Sequence, residues 1–294
     1  MRTVPASGDR VLRVQARLTG RDRQLLDWLA DHQVLTTVQI AHTLFSSLDF
    51  AQRRLLSLHR LGLVDRFRPL RPGGGSYPWH YVLAQTGAEL VAASRSQPPP
   101  RRGETTDRMR RIATSRLLPH RLGVNQFFTD LAGHARTHPP ARLDRWWSEQ
   151  QCAAPGAFGV SLVSPVRPDG HGVFTDPGGR RVAFFLEFDT GTEQLAVAAA
   201  KLTRYAAHAA KGGPAWPVLF WLPTTPRERH LHQLLDTPEL PVPVATAARD
   251  SLPVGAGPAD AIWLVHGGTD TPRRLADLAT LGDPAPDHAP APSR

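Results

Sequence analysis

Apolar positions between residues 19 and 94 recur first at helical and then at alternating spacing. Leu25, Leu26, Trp28 and Leu29 follow Thr19, and Val38, Ile40, Ala41 and Leu44 follow Thr36. Both threonines are residues that accept hydrogen bonds from the first turn of a helix, so each run predicts a helix with a defined start. A third run, residues 50–62, puts Leu55, Leu58 and Leu61 on one face, with Asp49 as its expected cap and Gly62 as its stop. LVDRFRPL (63–70) and YPWHYVLA (77–84) then read as strands joined by RPGGGS, a turn at hairpin spacing. Thr86-Gly87 opens one more helix.

The second half has a different rhythm. SRSQPPPRRGE (94–104) has the composition of a hinge, and the Arg-rich residues 107–117 can continue as helix. Leu122, Val124, Phe127, Phe128 and Leu131 keep helical spacing, and RLDRWWSEQQC (142–152) alternates weakly as a first strand. Residues 182–186 form an unbroken apolar block, which predicts a strand buried on both faces. A helical run starts near Glu193, WPVLFWL (216–222) is a second buried strand, residues 225–235 a helix, and 261–265 a last strand. Strands alternating with helices after an antiparallel hairpin imply an α/β domain with a mixed sheet. The expected organisation is a flexible arm at 1–18, a helix-and-hairpin domain at 19–94, a Pro/Arg-rich linker at 95–118, the mixed-sheet domain at 119–268 and a disordered tail at 269–294.

Charge sharpens the reading of the first domain. Arg53, Arg54, His59 and Arg60 fall on or near the third helix, and Arg66, Arg68 and Arg71 on the hairpin, with Asp65 the only acid between Arg53 and Pro72. Three short helices followed by a basic hairpin is the pattern of a winged helix-turn-helix. In that fold the third helix enters the major groove of double-stranded DNA and the hairpin touches the backbone.

In the second domain the chemistry gathers at strand ends. Side chains alternate along a strand, so Glu187 and Asp189 leave the same face after the apolar block. Asp169 lies on the neighbouring strand of a hairpin, which brings three carboxylates to one edge. Carboxylate oxygens suit a hard cation, Mg2+ or equally Mn2+, and Glu149 is a candidate fourth acid. Of the 35 Lys plus Arg only Lys201 and Lys211 are lysine. Where Arg is the default cation, a retained lysine points to a role for a compact ammonium, such as facing a developing oxyanion. Glu193, Val197, Lys201 and Tyr205 share a stripe at i+4 spacing.

Composition bounds the rest. A chain of 294 residues predicts about two domains. No apolar run approaches the roughly 20 residues that span a bilayer, and the start has no apolar signal region, so the expectation is a cytoplasmic protein without a membrane partner. One cysteine excludes an internal disulfide framework and a cysteine-rich zinc site. The net charge of +9 favours polyanionic partners.

The order helix, strand, strand with Asp169, strand with Glu187, helix with Lys201 resembles the PD-(D/E)XK nuclease superfamily. That resemblance implies a mixed sheet flanked by helices, acids that bind Mg2+ and a lysine that polarises the scissile phosphate. Pro168-Asp169 matches the first half of the motif and Glu187 the second acid. Asp189 stands where the lysine is usual, and Lys201 would take that role from the following helix. HRLGVNQFFTDL, PDG, LEFDTGTE and KLTRY, after a winged helix and a Pro-Arg linker, resemble the actinobacterial replication-relaxation family of plasmids and mobile elements. The resemblance implies a role in plasmid replication, DNA relaxation or transfer. Two functions fit: a metal-dependent endonuclease or nickase targeted by its winged helix, with catalytic Asp169, Glu187 and Lys201 and metal ligands Asp169, Glu187 and Asp189; or a DNA-binding initiator or regulator whose nuclease-like domain serves homodimerisation or docking of plasmid replication or transfer proteins.

Overall fold

The computed structural model describes residues 15–69, 74–159, 166–235, 240 and 242–286, and the chain divides into two compact units, Met1–Thr129 and Asp130–Arg294. The first unit is helical with a small sheet. Helix α1 (Gly20–His32) starts behind Thr19, whose hydroxyl accepts from Asp22 N while Thr19 N donates to the Asp22 carboxylate at 2.7 Å. The same reciprocal cap, Thr36 with Gln39, starts α2 (Thr37–Leu44) directly after the short strand β1 (Leu35–Thr36). These two caps satisfy backbone donors that a helix start leaves bare. Helix α3 (Leu48–Arg60) begins two residues earlier than the acid at its start suggests: Ser47, not Asp49, is its cap and accepts from Phe50 N. Ala51, Leu55 and Leu58 form its buried stripe, while Leu61 lies at the C-cap, half-buried.

Strands β2 (Val64–Phe67) and β3 (His80–Leu83) pair antiparallel, and β1 adds to the far side of β3. Helix α4 (Gln85–Ser94) packs so closely on the turn between α3 and β2 that a Cβ at Gly87 would meet the Leu63 carbonyl oxygen at 2.0 Å. Only glycine fits there.

The segment expected as a linker contains helix α5 (Glu104–Ala113). Its arginines hide a narrow apolar stripe: Ile112 is buried and, with Met109, packs with Val34, Val82, Phe67 and Leu118. Helix α6 (Leu118–Thr137) carries the division between the units. Its Asn125 amide donates to the carbonyls of Val34 (2.6 Å) and His32 (3.3 Å), so the first unit extends well beyond residue 94.

The second unit is a six-stranded mixed sheet in the order β4 (Arg142–Ser148), β5 (Gly170–Thr175), β6 (Arg181–Phe188), β7 (Val218–Leu222), β8 (Val244–Ala248), β9 (Leu264–Val265). A four-residue helix, α7 (Glu149–Cys152), follows β4. The β4–β5 and β5–β6 pairs are antiparallel, β6–β7 and β7–β8 parallel, and β8–β9 antiparallel. The parallel pairs are connected through α8 (Leu195–Ala210) and α9 (Thr225–Leu235). Ala183, Phe185, Val218, Phe220 and Val244 meet Leu195, Ala198, Leu202, Tyr205, Leu231 and Leu235 in one continuous core.

Residues 269–286 are ordered, against the expectation of a disordered tail beginning at 269. Arg273 exchanges two backbone hydrogen bonds with Trp263, and a 3-10 turn (Leu275–Thr280) buries Leu275 and Leu278. Asp277 pairs with Arg180, and Asp283 accepts from Ala215 N at 2.7 Å. Two leucines and two acids with partners in the sheet offset the Pro- and Ala-rich composition. The last residues, 287–294, lie outside the described ones.

Candidate functional site

Two sets of charged side chains stand out, one in each unit. In the second, the register of β5 and β6 pairs Gly170 with Leu186, and one step further sets Asp169 opposite Glu187. Asp169 N donates to Leu186 O at 2.9 Å, and the Asp169 carboxylate accepts from Phe188 N at 2.7 Å. Strand alternation turns Glu187, like Ala183 and Phe185, into the core against α8.

Glu187 is only 3% exposed, and both of its oxygens are taken. Lys201 Nζ donates to Oε2 at 2.8 Å and the Tyr205 hydroxyl to Oε1 at 2.5 Å. The two donors are one helical turn apart on α8, so they reach the same carboxylate side by side. Lys201 also lies 3.5 Å from Glu193. Burial, and then the neighbouring Asp169, push the Glu187 carboxyl up from 4.5 to about 7, against the pull of Lys201 and Tyr205. Burial works against the Lys201 ammonium, yet Glu187 outweighs it and holds the lysine above its ordinary range. The Tyr205 hydroxyl is raised by burial and by Glu187, and stays a proton donor.

Asp189 shares the parity of Glu187 but belongs to a different cluster. Arg227 of α9 grips both of its oxygens, one at 3.2 Å, and Gly191 N donates to it at 2.6 Å. Arg249 closes over the same strand ends: it donates to the carbonyls of Asp189 (2.8 Å) and Trp221 (2.9 Å) and stacks on Phe188 at 4.5 Å. Glu149 lies exposed on α7. The structure thus brings Glu187 and Lys201 into contact with Asp169 beside them, and assigns Asp189 to Arg227.

These donors do not fit a divalent cation as they stand. Mg2+ or Mn2+ needs carboxylate oxygens free to turn toward a common centre. Each Glu187 oxygen already accepts a hydrogen bond inside the core, and Asp189 is held in a two-point fork with a guanidinium. Among the described residues no group of three or more His, Cys, Asp or Glu side chains could hold a metal ion.

In the first unit the predicted cations divide. Arg54 of α3 is not on an open face: its guanidinium forks onto the buried Asp22 at 2.5 and 2.9 Å and donates to Arg17 O. It pins α3 to the cap of α1. Arg53, one residue earlier, points outward and pairs with the exposed Asp49 at 2.7 Å. His59 Nδ1 lies 3.0 Å from Val64 O, half-buried, and Arg60 is exposed. Arg66 and Arg68 leave the hairpin on one face and stack over Trp79 at 4.1 and 4.3 Å. Arg71 lies outside the described residues. Trp79, Tyr205, Arg227 and Arg249 were not among the expected site residues. KLTRY already places Tyr205 one turn after Lys201, but nothing local to Arg227 or Arg249 announces the strand ends they serve.

The fold and these two clusters define a two-unit protein with a basic helix-and-hairpin unit and a mixed-sheet unit whose acids sit at strand ends. A family model described as replication-relaxation matches residues 26–219, well over half of the chain, and the protein belongs to the replication-relaxation family. Membership associates it with replication or relaxation and is compatible with DNA interaction. No curated protein and no solved structure matches the chain. Among the described residues no helix is long and apolar enough to cross a membrane.

Proposed function

We propose that the protein binds double-stranded DNA in replication or relaxation, through a winged helix-turn-helix made of α1, α2, α3 and the β2–β3 hairpin. The observation that supports this reading is the outward placement of Arg53, Arg60, Arg66 and Arg68 on one helix and one hairpin. With α3 in the major groove, Arg53 is near base edges, while Arg66 and Arg68 meet the phosphate backbone. Arg54 is committed to Asp22 and takes no part.

The second unit is read as a PD-(D/E)XK-like scaffold that does not cut and serves dimerisation or docking of other plasmid replication or transfer proteins. Support for this half comes from Glu187, whose two oxygens accept from Lys201 and Tyr205, and from Asp189, held by Arg227. The test uses the full chain with duplex DNA across a salt series and with supercoiled plasmid in Mg2+ or Mn2+. Phosphate contacts by Arg60, Arg66 and Arg68 predict that log K falls against log salt with a slope of about −3, while the plasmid stays supercoiled. Absence of duplex binding would sink the first half. Nicking that disappears in Glu187→Ala would reverse the second and return Asp169, Glu187 and Lys201 to the metal-dependent reading.

A further inference from the structure

The hairpin carries an arrangement that the placement of cations alone does not require: two guanidiniums gathered on one indole. Arg66 and Arg68 share a face of β2, and the register that sets Phe67 opposite His80 sets Arg68 opposite Trp79 one step on. Arg66 is then the diagonal neighbour, within reach of a large ring. Phe67 faces the other way, stacked on His80 at 5.2 Å and packed with Ile112 and Val82. The backbone that carries the indole is anchored. Thr37 N and the Thr37 hydroxyl both donate to Trp79 O, at 2.9 and 3.2 Å, which ties the start of β3 to the first turn of α2.

Stacking uses the flat face of a guanidinium and leaves its N–H edge available; each fork has five donors. Neither Arg66 nor Arg68 has a carboxylate partner among the described residues, and Arg68 is exposed. Two like charges held near a single ring repel each other, and an anion lying between them relieves that repulsion. Elsewhere in this unit paired cations have their acids at hand, as Arg95 has Asp27 and Asp31. The guanidiniums of the hairpin pair have none among the described residues, which leaves their N–H edges open to an outside anion.

We propose that Trp79 is a positioning residue for DNA: it holds Arg66 and Arg68 as a preformed pair of forks for the phosphodiester backbone of a duplex. The inference rests on the duplex-binding reading above and adds the residue that orders its cations and the group they meet. Preordering spares the two long side chains the loss of freedom they would otherwise suffer on binding.

The experiment measures binding of a fluorescent duplex to the full chain between 50 and 200 mM salt, for the parent, Trp79→Leu, Trp79→Phe and the Arg66→Lys/Arg68→Lys double variant, using roughly the salt range over which counterion release is usually read. Trp79→Leu removes no charge, yet should weaken binding about tenfold and reduce the salt slope by about 1 to 2, because both forks lose their fixed position. A merely structural role would lower affinity through the folded fraction and leave the slope as it is. Trp79→Phe keeps an aromatic face and should recover most of the slope. If Trp79→Leu does not fold, the double Lys variant decides: it keeps both charges but cannot fork or stack in the same way, and parent-like affinity in it would overturn the proposal. Equal affinity and slope in a folded Trp79→Leu would overturn it too, with duplex binding by the parent intact. A parent that binds no duplex would remove the broader reading and this one together.

Discussion

Charged side chains collect at strand ends in both units, and the two collections are in opposite states. On the hairpin, the guanidiniums of Arg66 and Arg68 lie on an aromatic ring with no carboxylate paired to them among the described residues. At the end of β6, Glu187 meets Lys201 and Tyr205, and Asp189 meets Arg227 and Gly191 N. The first set is incomplete without a partner; the second is already complete. Electrostatic attraction to an outside anion costs little when the cations are solvated and unpaired. Extracting Glu187 from its pair would strand a buried charge. Charge content alone says nothing of this, since the motif residues in the second unit are those that read most like catalysis.

The comparison breaks most visibly at Lys201. If the β6 cluster is a closed ion pair, Lys201→Met leaves the Glu187 carboxylate buried without its cation, and the fold should lose about 3–5 kcal/mol, measured by denaturant unfolding at pH 8. Tyr205 and water can satisfy part of the deficit, so the lower end is expected. A loss below about 1 kcal/mol would mean that the ammonium contributes little to the fold, and would put Lys201 back among residues held ready for chemistry.

A smaller effect should appear in the pH dependence of stability. Folding raises the Glu187 carboxyl from 4.5 to about 7, mainly by burial. Between those values the folded chain binds a proton that the unfolded chain has released. The stability contributed by the protonated form is therefore fully present below about pH 4.5 and is lost as pH rises through about 7. Glu187→Gln cannot ionise and should lose that dependence, flattening the profile by on the order of 3 kcal/mol across the window relative to the parent. Identical slopes in parent and variant would show that Lys201 and Tyr205 fully compensate the burial. His171 works in the opposite direction over an overlapping window: burial lowers its ring to about 3, so its stability contribution is present above 6.5 and lost as pH falls toward 3, and the difference between the parent and Glu187→Gln profiles isolates the Glu187 part.

What was legible in the sequence follows from the range of the interactions. Thr19 and Thr36 are read from neighbours three residues away, and both caps form as expected. The apolar block at 182–186 and the short turn before it are local too, which is why β5 and β6 and the neighbourhood of Asp169 and Glu187 could be anticipated. Strand β8 was missed because VATAA, next to prolines, is three-fifths alanine and has no aromatic residue to mark a strand; its place is set by pairing with β7. The helix expected from residue 107 forms as α5, but its start at Glu104 and its burial were not legible, because seven residues of charge or hydroxyl conceal Met109 and Ile112; the ordered stretch 269–286 was not legible either. The site's state depended on still longer reach. Asp189 and Arg227 are 38 residues apart and Asp22 and Arg54 are 32 apart, joined by long side chains whose direction no local pattern encodes.

The adjacent arginines of α3 bring the comparison down to one helix, with the smallest expected change in stability. Arg54 behaves like the second unit's cluster: it is bound to an acid that is 1% exposed, which also accepts from Thr19. Arg54→Gln should cost about 1–3 kcal/mol by leaving Asp22 with an unmatched charge, and any loss of DNA binding should vanish when affinity is corrected for the folded fraction. Arg53 behaves like the hairpin. Its pair with Asp49 joins two largely exposed side chains, a contact of the kind that contributes 1 kcal/mol at most and often nothing, so Arg53→Gln should shift stability by less than about 0.5 kcal/mol. Its effect should fall on DNA instead, with weaker discrimination between duplex sequences and a salt slope smaller by about 1 if it meets a phosphate as well. Thermal unfolding and duplex titration on the two variants separate the cases. A destabilised Arg53→Gln with unchanged DNA binding, or an Arg54→Gln that keeps full stability and loses the duplex, would invert the assignment of which arginine holds the fold and which one faces outward.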